Sequence, residues 1–89
     1  MSKRVPKLVN VLRDVNALRH RLGFKPELKN LPKGVPNKPE YCVIAKVTGT
    51  FVDGLYARTG DNEFQLTKRL QTFVERFDDG KYPWLIASS

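Results

Sequence analysis

Residues 41–66 read YCVIAKVTGTFVDGLYARTGDNEFQL, and this stretch decides whether the chain carries a sheet. Tyr41 to Thr48 is dense in β-branched and aromatic residues and stops at Gly49, which predicts a strand. Thr50 to Val52 reads as a short second strand. Asp53-Gly54, flanked by Phe51-Val52 and Leu55-Tyr56, is a two-residue turn signal, so Leu55 to Arg58 returns as a hairpin partner. Gly60-Asp61-Asn62 turns the chain again, and Glu63 to Leu66 is either one more short strand or the start of a helix.

On the C-terminal side, Leu66, Leu70, Phe73, Val74 and Phe77 share one helical face. Thr67 or Asp61 caps that helix, with Asp61 the better choice electrostatically because Lys68 and Arg69 suit a first turn badly. Gly80 ends it, and an aromatic tail follows, Lys81-Tyr82-Pro83-Trp84-Leu85-Ile86. On the N-terminal side, four prolines and Gly34 in residues 24–40 forbid a regular element. The same segment offers Phe24, Leu28, Leu31 and Val35 as anchors on a core. Before it, residues 6–22 predict an amphipathic helix. Leu8, Val11, Leu12, Val15, Leu18 and Leu22 line one face, Pro6 fits its first turn and Gly23 caps its end. The fold class is α+β: a small antiparallel sheet of two to four strands packed against an N-terminal and a C-terminal amphipathic helix, all one domain over residues 1–89.

Eighty-nine residues hold one modest core. The single Cys excludes an internal disulfide framework and a multi-Cys zinc site. No apolar run approaches the roughly 18 residues of a membrane span, and no signal-peptide pattern follows Met1, so a cytoplasmic protein with no membrane partner is expected. Lys and Arg total 16 against 9 Asp and Glu, a formal +7. The whole of that surplus falls in residues 1–40. There Lys3, Arg4, Lys7, Arg13, Arg19, Arg21, Lys25, Lys29, Lys33 and Lys38 face only Asp14, Glu27 and Glu40, whereas residues 41–89 are neutral.

Catalytic chemistry has no foothold in this pattern. His20 stands between Arg19 and Arg21, which oppose its protonation and supply no orienting acid. Cys42 opens an apolar run and reads as a small buried hydrophobe; Lys46 is the one nearby cation that could activate a thiolate. Asp78 and Asp79 sit oddly at the negative end of a helix dipole, without calcium-loop spacing. Gly49 and Gly54 do not make a phosphate loop. No catalytic residue, cofactor or metal is expected.

The charge asymmetry is the feature above background. It has the form of an electrostatic footprint for phosphate, and Lys7, Arg13, Arg19, Arg21, Lys25, Lys29 and Lys33 are the candidate nucleic-acid contacts. A solvated surface that keeps a small protein soluble is the plainer reading of the same charges. On a helical wheel Arg13 and His20 flank one side of the apolar stripe, Lys7 and Arg21 the other, and Arg19 falls near the stripe itself. A broad phosphate-contacting surface fits this better than a groove-reading helix. Phe24 is the sole aromatic of residues 1–40, which argues against base stacking there. The alternative is a protein-interaction surface formed by the proline-rich segment with Tyr82, Pro83, Trp84 and Leu85, docking on another protein, with self-association through the same tail also open.

Leu31-Pro32-Lys33-Gly34-Val35-Pro36, Cys42-Val43-Ile44-Ala45 and Phe77-Asp78-Asp79-Gly80-Lys81-Tyr82-Pro83 together resemble a pattern in small proteins encoded by bacteriophages of actinobacteria, over roughly a fifth of the chain. The resemblance implies a phage or prophage accessory gene acting in a bacterial cytoplasm. It also implies that Cys42 belongs to a structural motif. It carries no activity, and the basic N-terminal helix lies outside the matching blocks.

Overall fold

The computed structural model describes residues 6–38 and 40–87; Lys3, Arg4 and Pro39 of the sequence reading lie outside them. Helix α1 spans Leu8–Arg21, α2 Val43–Thr48 and α3 Lys68–Asp78. Strands β1 (Phe51–Val52), β2 (Tyr56–Thr59) and β3 (Asn62–Gln65) form an antiparallel sheet in the order β1-β2-β3, and a single 3-10 turn covers Pro83–Leu85. The class is α+β, as the periodicities imply. No helix among the described residues is long and apolar enough to cross a membrane.

Both amphipathic helices form where the apolar spacing places them. Leu66, Leu70, Phe73, Val74 and Phe77 are all buried. Thr67, not Asp61, caps α3: its Oγ1 accepts the Leu70 amide at 3.1 Å and donates to Asp14 Oδ2 at 3.0 Å. Asp14 also meets Arg69 at 3.2 Å, so one of the two cations that suit a first turn badly is answered by a carboxylate from α1. In α1, Val11, Val15 and Leu18 are buried, while Leu8, Leu12 and Leu22 are half-buried. Pro6 precedes the helix, whose N-cap is Lys7.

Residues 43–48 are a helix where the composition predicts a strand. Cys42 Sγ accepts the Ala45 amide at 3.4 Å, Thr48 Oγ1 donates to the Ile44 carbonyl at 2.7 Å, and Gly49 closes the helix in the left-handed region at φ 67°. The physical reason is burial on all sides. Cys42, Val43, Ile44 and Ala45 are consecutive and all buried, packed between α1 and β1. A short continuous apolar run fits a core strand or a core helix equally, and periodicity cannot separate them. The hairpin turn is also one residue later than expected: Asp53 N–H donates to the Tyr56 carbonyl at 3.1 Å around Gly54 and Leu55, with Gly54 at φ 99°. Asp53 Oδ1 accepts the amides of Leu55 and Tyr56 at 3.1 and 2.8 Å, bonds that hold its carboxyl below the usual carboxylate range.

The irregular segment is pinned at two points. Asn16, buried on α1, grips Leu28 twice: its Nδ2 donates to the Leu28 carbonyl at 3.1 Å and its Oδ1 accepts the Leu28 amide at 2.8 Å. Gly34 then threads between α2 and the tail. Its N–H donates to Leu85 O at 2.8 Å, its carbonyl accepts Ala87 N–H at 2.9 Å, and Val35 N–H donates to Tyr41 O at 2.7 Å. A Cβ on Gly34 would stand 2.5 Å from Val43 N and 2.8 Å from Cys42 C, both backbone atoms. Leu28 and Leu31 pack on the core as anchors, but Phe24 and Val35 stay exposed.

Two substitutions test these pins. Gly34→Ala should cost about 1–3 kcal/mol in denaturant unfolding, because the clashing atoms are main chain and cannot rotate away. Asn16→Leu should cost about 2 kcal/mol and speed amide exchange at Leu28, since two hydrogen bonds are lost together.

Candidate functional site

The first strip of surface built by these pins is a groove along α1. At one end Leu8, Val9 and Leu12 face Lys29, Leu31 and Trp84 across a depression of about 420 Å³. It continues past Val9 and Leu12 into a second depression of about 580 Å³, bordered by Arg13, His20, Glu27 and Leu28. Val9 is 63 % exposed and Trp84 58 %. Helical spacing puts Val9, Arg13 and His20 on the outer face of α1, and the Asn16–Leu28 bonds hold the opposite wall in place.

Four aromatic-tail residues were grouped by the sequence as an interaction surface; the structure divides them. Tyr82 is 1 % and Leu85 6 % exposed, so both belong to the core, while Pro83 and Trp84 face outward. The split follows from the 3-10 turn at Pro83–Leu85, whose three-residue period puts Tyr82 and Leu85 on the inner side and leaves Pro83 and Trp84 on the outer. Tyr82 packs at a tilt of 51° against Phe73 with centroids 4.9 Å apart and donates its hydroxyl to the Pro6 carbonyl at 2.7 Å. Trp84 meets the Tyr82 ring edge-on at 5.8 Å. The exposed indole therefore rests on a buried, hydrogen-bonded phenol.

The seven candidate cations do not gather on one face. Arg13 and Lys29 border the groove. Arg21 lies on the other flank of α1, its guanidinium 5.2 Å from the Phe64 ring centroid. Arg19 is committed inward: it donates to the carbonyls of Val47 and Pro26 and stacks 4.5 Å over Phe24, which resolves its awkward place near the apolar stripe. Lys7, Lys25 and Lys33 are exposed. Lys33 lies toward Lys46, whose Nζ donates to the Lys33 carbonyl at 2.7 Å. Among the described residues, none of the seven has a carboxylate within salt-bridge distance. By contrast Arg58, Arg69 and Arg76, all from the neutral part of the chain, each meet one or two.

No family model, curated protein or solved structure matches this chain.

Cys42, Lys46, His20 and Asp78 each have a structural neighbour. Cys42 is buried as a small hydrophobe, and burial pushes its thiol up despite the Ala45 amide. Lys46 reaches away from it to the Lys33 carbonyl. His20 sits 3.7 Å from Glu27 in the groove, whereas Cys42 borders a separate depression with Asn37 and Asp78. The Asp78 carboxylate at the wrong end of α3 has a purpose: it accepts the Asn37 amide at 2.8 Å, holding a residue whose φ is 62°. No group of three or more His, Cys, Asp or Glu among the described residues is placed to hold a metal ion. Sequence reasoning missed Asn16 and Gly34 as builders of the groove. A polar residue beside an apolar helical stripe was the available signal for the first; nothing local marks the second.

Burial also raises the Tyr82 phenol above its ordinary value. The folded chain keeps this proton where the unfolded chain, near its ordinary value of about 10, gives it up. The contribution is therefore complete below that pH and is lost as pH rises through the higher folded value. Tyr82→Phe should lower stability at neutral pH by about 1 kcal/mol through the missing bond to Pro6. The gap between wild type and variant, followed by chemical denaturation, should narrow above about pH 10.

Proposed function

We propose that this chain is a small non-enzymatic binding protein that contacts nucleic acid through residues 1–40, a phage-type accessory or regulatory factor. The observation that carries the reading is electrostatic. The cations of the N-terminal portion stand without carboxylate partners among the described residues, while those of residues 41–89 include three arginines already paired within the fold. Unpaired cations keep their full charge for an external polyanion, and release of its counterions drives association. Arg19 leaves the set of contacts because its guanidinium is spent on backbone carbonyls. Arg13 and Lys29 at the groove, with Lys25 on the segment that walls it, form the favoured flank. The phage context rests on the resemblance of residues 31–36, 42–45 and 77–83. A non-catalytic role is supported by the buried thiol of Cys42 and its separation from His20.

A second reading, docking on a host or phage protein, is favoured by exposed Trp84 beside Pro83, since tryptophan is a frequent interface anchor. Salt separates the two. With about three phosphates engaged, log affinity for a labelled oligonucleotide should fall with log salt at a slope of roughly −2 to −3. Between about 50 and 200 mM salt that is a loss of roughly 20- to 60-fold. Absence of binding at low salt rejects the nucleic-acid reading. Arg13→Gln and Lys29→Gln together should flatten the slope, and Lys46→Gln should leave it unchanged.

A further inference from the structure

We infer that the groove between α1 and residues 28–31 takes a single-stranded nucleic acid, with one base stacked on the Trp84 indole and its neighbouring phosphates held by Arg13 and Lys29. The inference rests on the nucleic-acid reading above and names the ligand form that the same site recognises. Three features of the groove carry it.

The first is the state of Trp84. An indole 58 % exposed is costly to leave in water, yet this one is held in position: Tyr82, which caps the turn, and Leu85, which follows the indole, are buried, and Tyr82 supports its ring at 5.8 Å. A rigid, solvent-facing aromatic has little ordering entropy left to lose when a base covers it. The tertiary fold thereby supplies the aromatic that residues 1–40 lack.

The second is the arrangement of polar groups. The floor is apolar, from Leu8, Val9 and Leu12, and Lys29 and Arg13 stand at its borders. Asn30 adds an amide able to both donate and accept at a base edge. An apolar floor with an aromatic end and cationic borders is complementary to a nucleobase chain, whose phosphates lie outside its flat faces. Glu27 lies 3.7 Å from His20, about two helical turns beyond Arg13, and opposes phosphate at that far end, so the strand runs from Trp84 and Lys29 as far as Arg13 and stops short of His20.

The third concerns the duplex. A helix that enters a major groove gathers cations and amides on its outer face. The outer face of α1 instead carries exposed Val9 and Ala17 with Arg13 and His20, and Lys7 and Arg21 fall on the other side of the core stripe. Stacked pairs in a duplex also withhold their faces from an indole.

The chain has one tryptophan, so its emission reports the site directly. The full chain is titrated at low salt with oligo(dT), with a duplex of the same length, and with heparin, a polyanion without bases. Saturable quenching by oligo(dT), with none by heparin, supports the proposal. By anisotropy of a labelled oligo(dT), Trp84→Ala should weaken binding roughly ten-fold or more, the loss of one stacked base, and leave heparin affinity unchanged. Val9→Glu, a change at an exposed position that removes no core contact, should weaken oligo(dT) binding more than heparin binding. Equal binding of duplex and single strand, or an unchanged Trp84→Ala affinity, overturns the inference while the broader nucleic-acid reading stands. Failure of all three ligands to bind overturns both. A concentration-dependent blue shift without any ligand, abolished by Val9→Glu and matched by dimer in sedimentation, assigns the groove to a second copy and overturns the inference as well.

Discussion

The passage of Gly34 between α2 and the chain near Ile86 is the constraint on which the remaining geometry hangs. A segment broken by prolines has no ladder of its own, so its backbone groups must find partners elsewhere. Gly34 gives its amide to Leu85 and its carbonyl to Ala87, and it does so pressed against the main chain of residues 41–43, where a methyl group has no room. That approach sets the height at which residues 28–31 cross α1. It also seats the Pro83–Leu85 turn, which turns Tyr82 inward and Trp84 outward. The Asn16–Leu28 pair completes the wall from the other side. Beside this crossing Asp78 holds Asn37.

The two long helices were legible because an apolar stripe of three- and four-residue steps has one inexpensive use, burial on a single face. The hairpin was legible because glycine is needed where φ is positive, and only its position slipped by one residue. Residues 43–48 were not. Their β-branched composition describes side chains that pack well in any dense surrounding, and the competing helix wins through its ends: the Cys42 cap and the left-handed Gly49. Among the candidate cations, Arg13 and Lys29 border the groove, which their charge did not foretell, and Arg19 does not, because a guanidinium near a core stripe finds carbonyls more readily than solvent. Trp84 could be singled out as an interface residue, while its neighbourhood to Leu8 and Lys29 depends on contacts between distant parts of the chain that no local pattern encodes.

The electrostatics follow the same division. Asp53 and Glu63 are consumed locally by Arg58 across the hairpin, and Glu75 and Asp79 by Arg76 at the end of α3. Asp14 of α1 is drawn to Arg69, away from the cations of its own helix. The N-terminal surplus is therefore left uncompensated by the way the acids are used, and not merely by their number. Its distribution over both flanks of α1 weakens any single contact patch, so apolar and aromatic surface must add what charge alone cannot.

Tyr82 reaches across 76 residues to the Pro6 carbonyl. Contacts of such sequence separation bring the largest loop-closure cost and are the slowest to be won during folding. The hairpin and α3 join neighbours in the chain and can form early, whereas the groove exists only after residues 82–87 have docked against α1 and Gly34. A kinetic intermediate with native sheet and native α3 would thus be blind to the ligand. Under the proposed function, recognition would belong to the last step of assembly, and a fluctuation that undocks residues 82–87 would switch it off before the rest of the molecule melts.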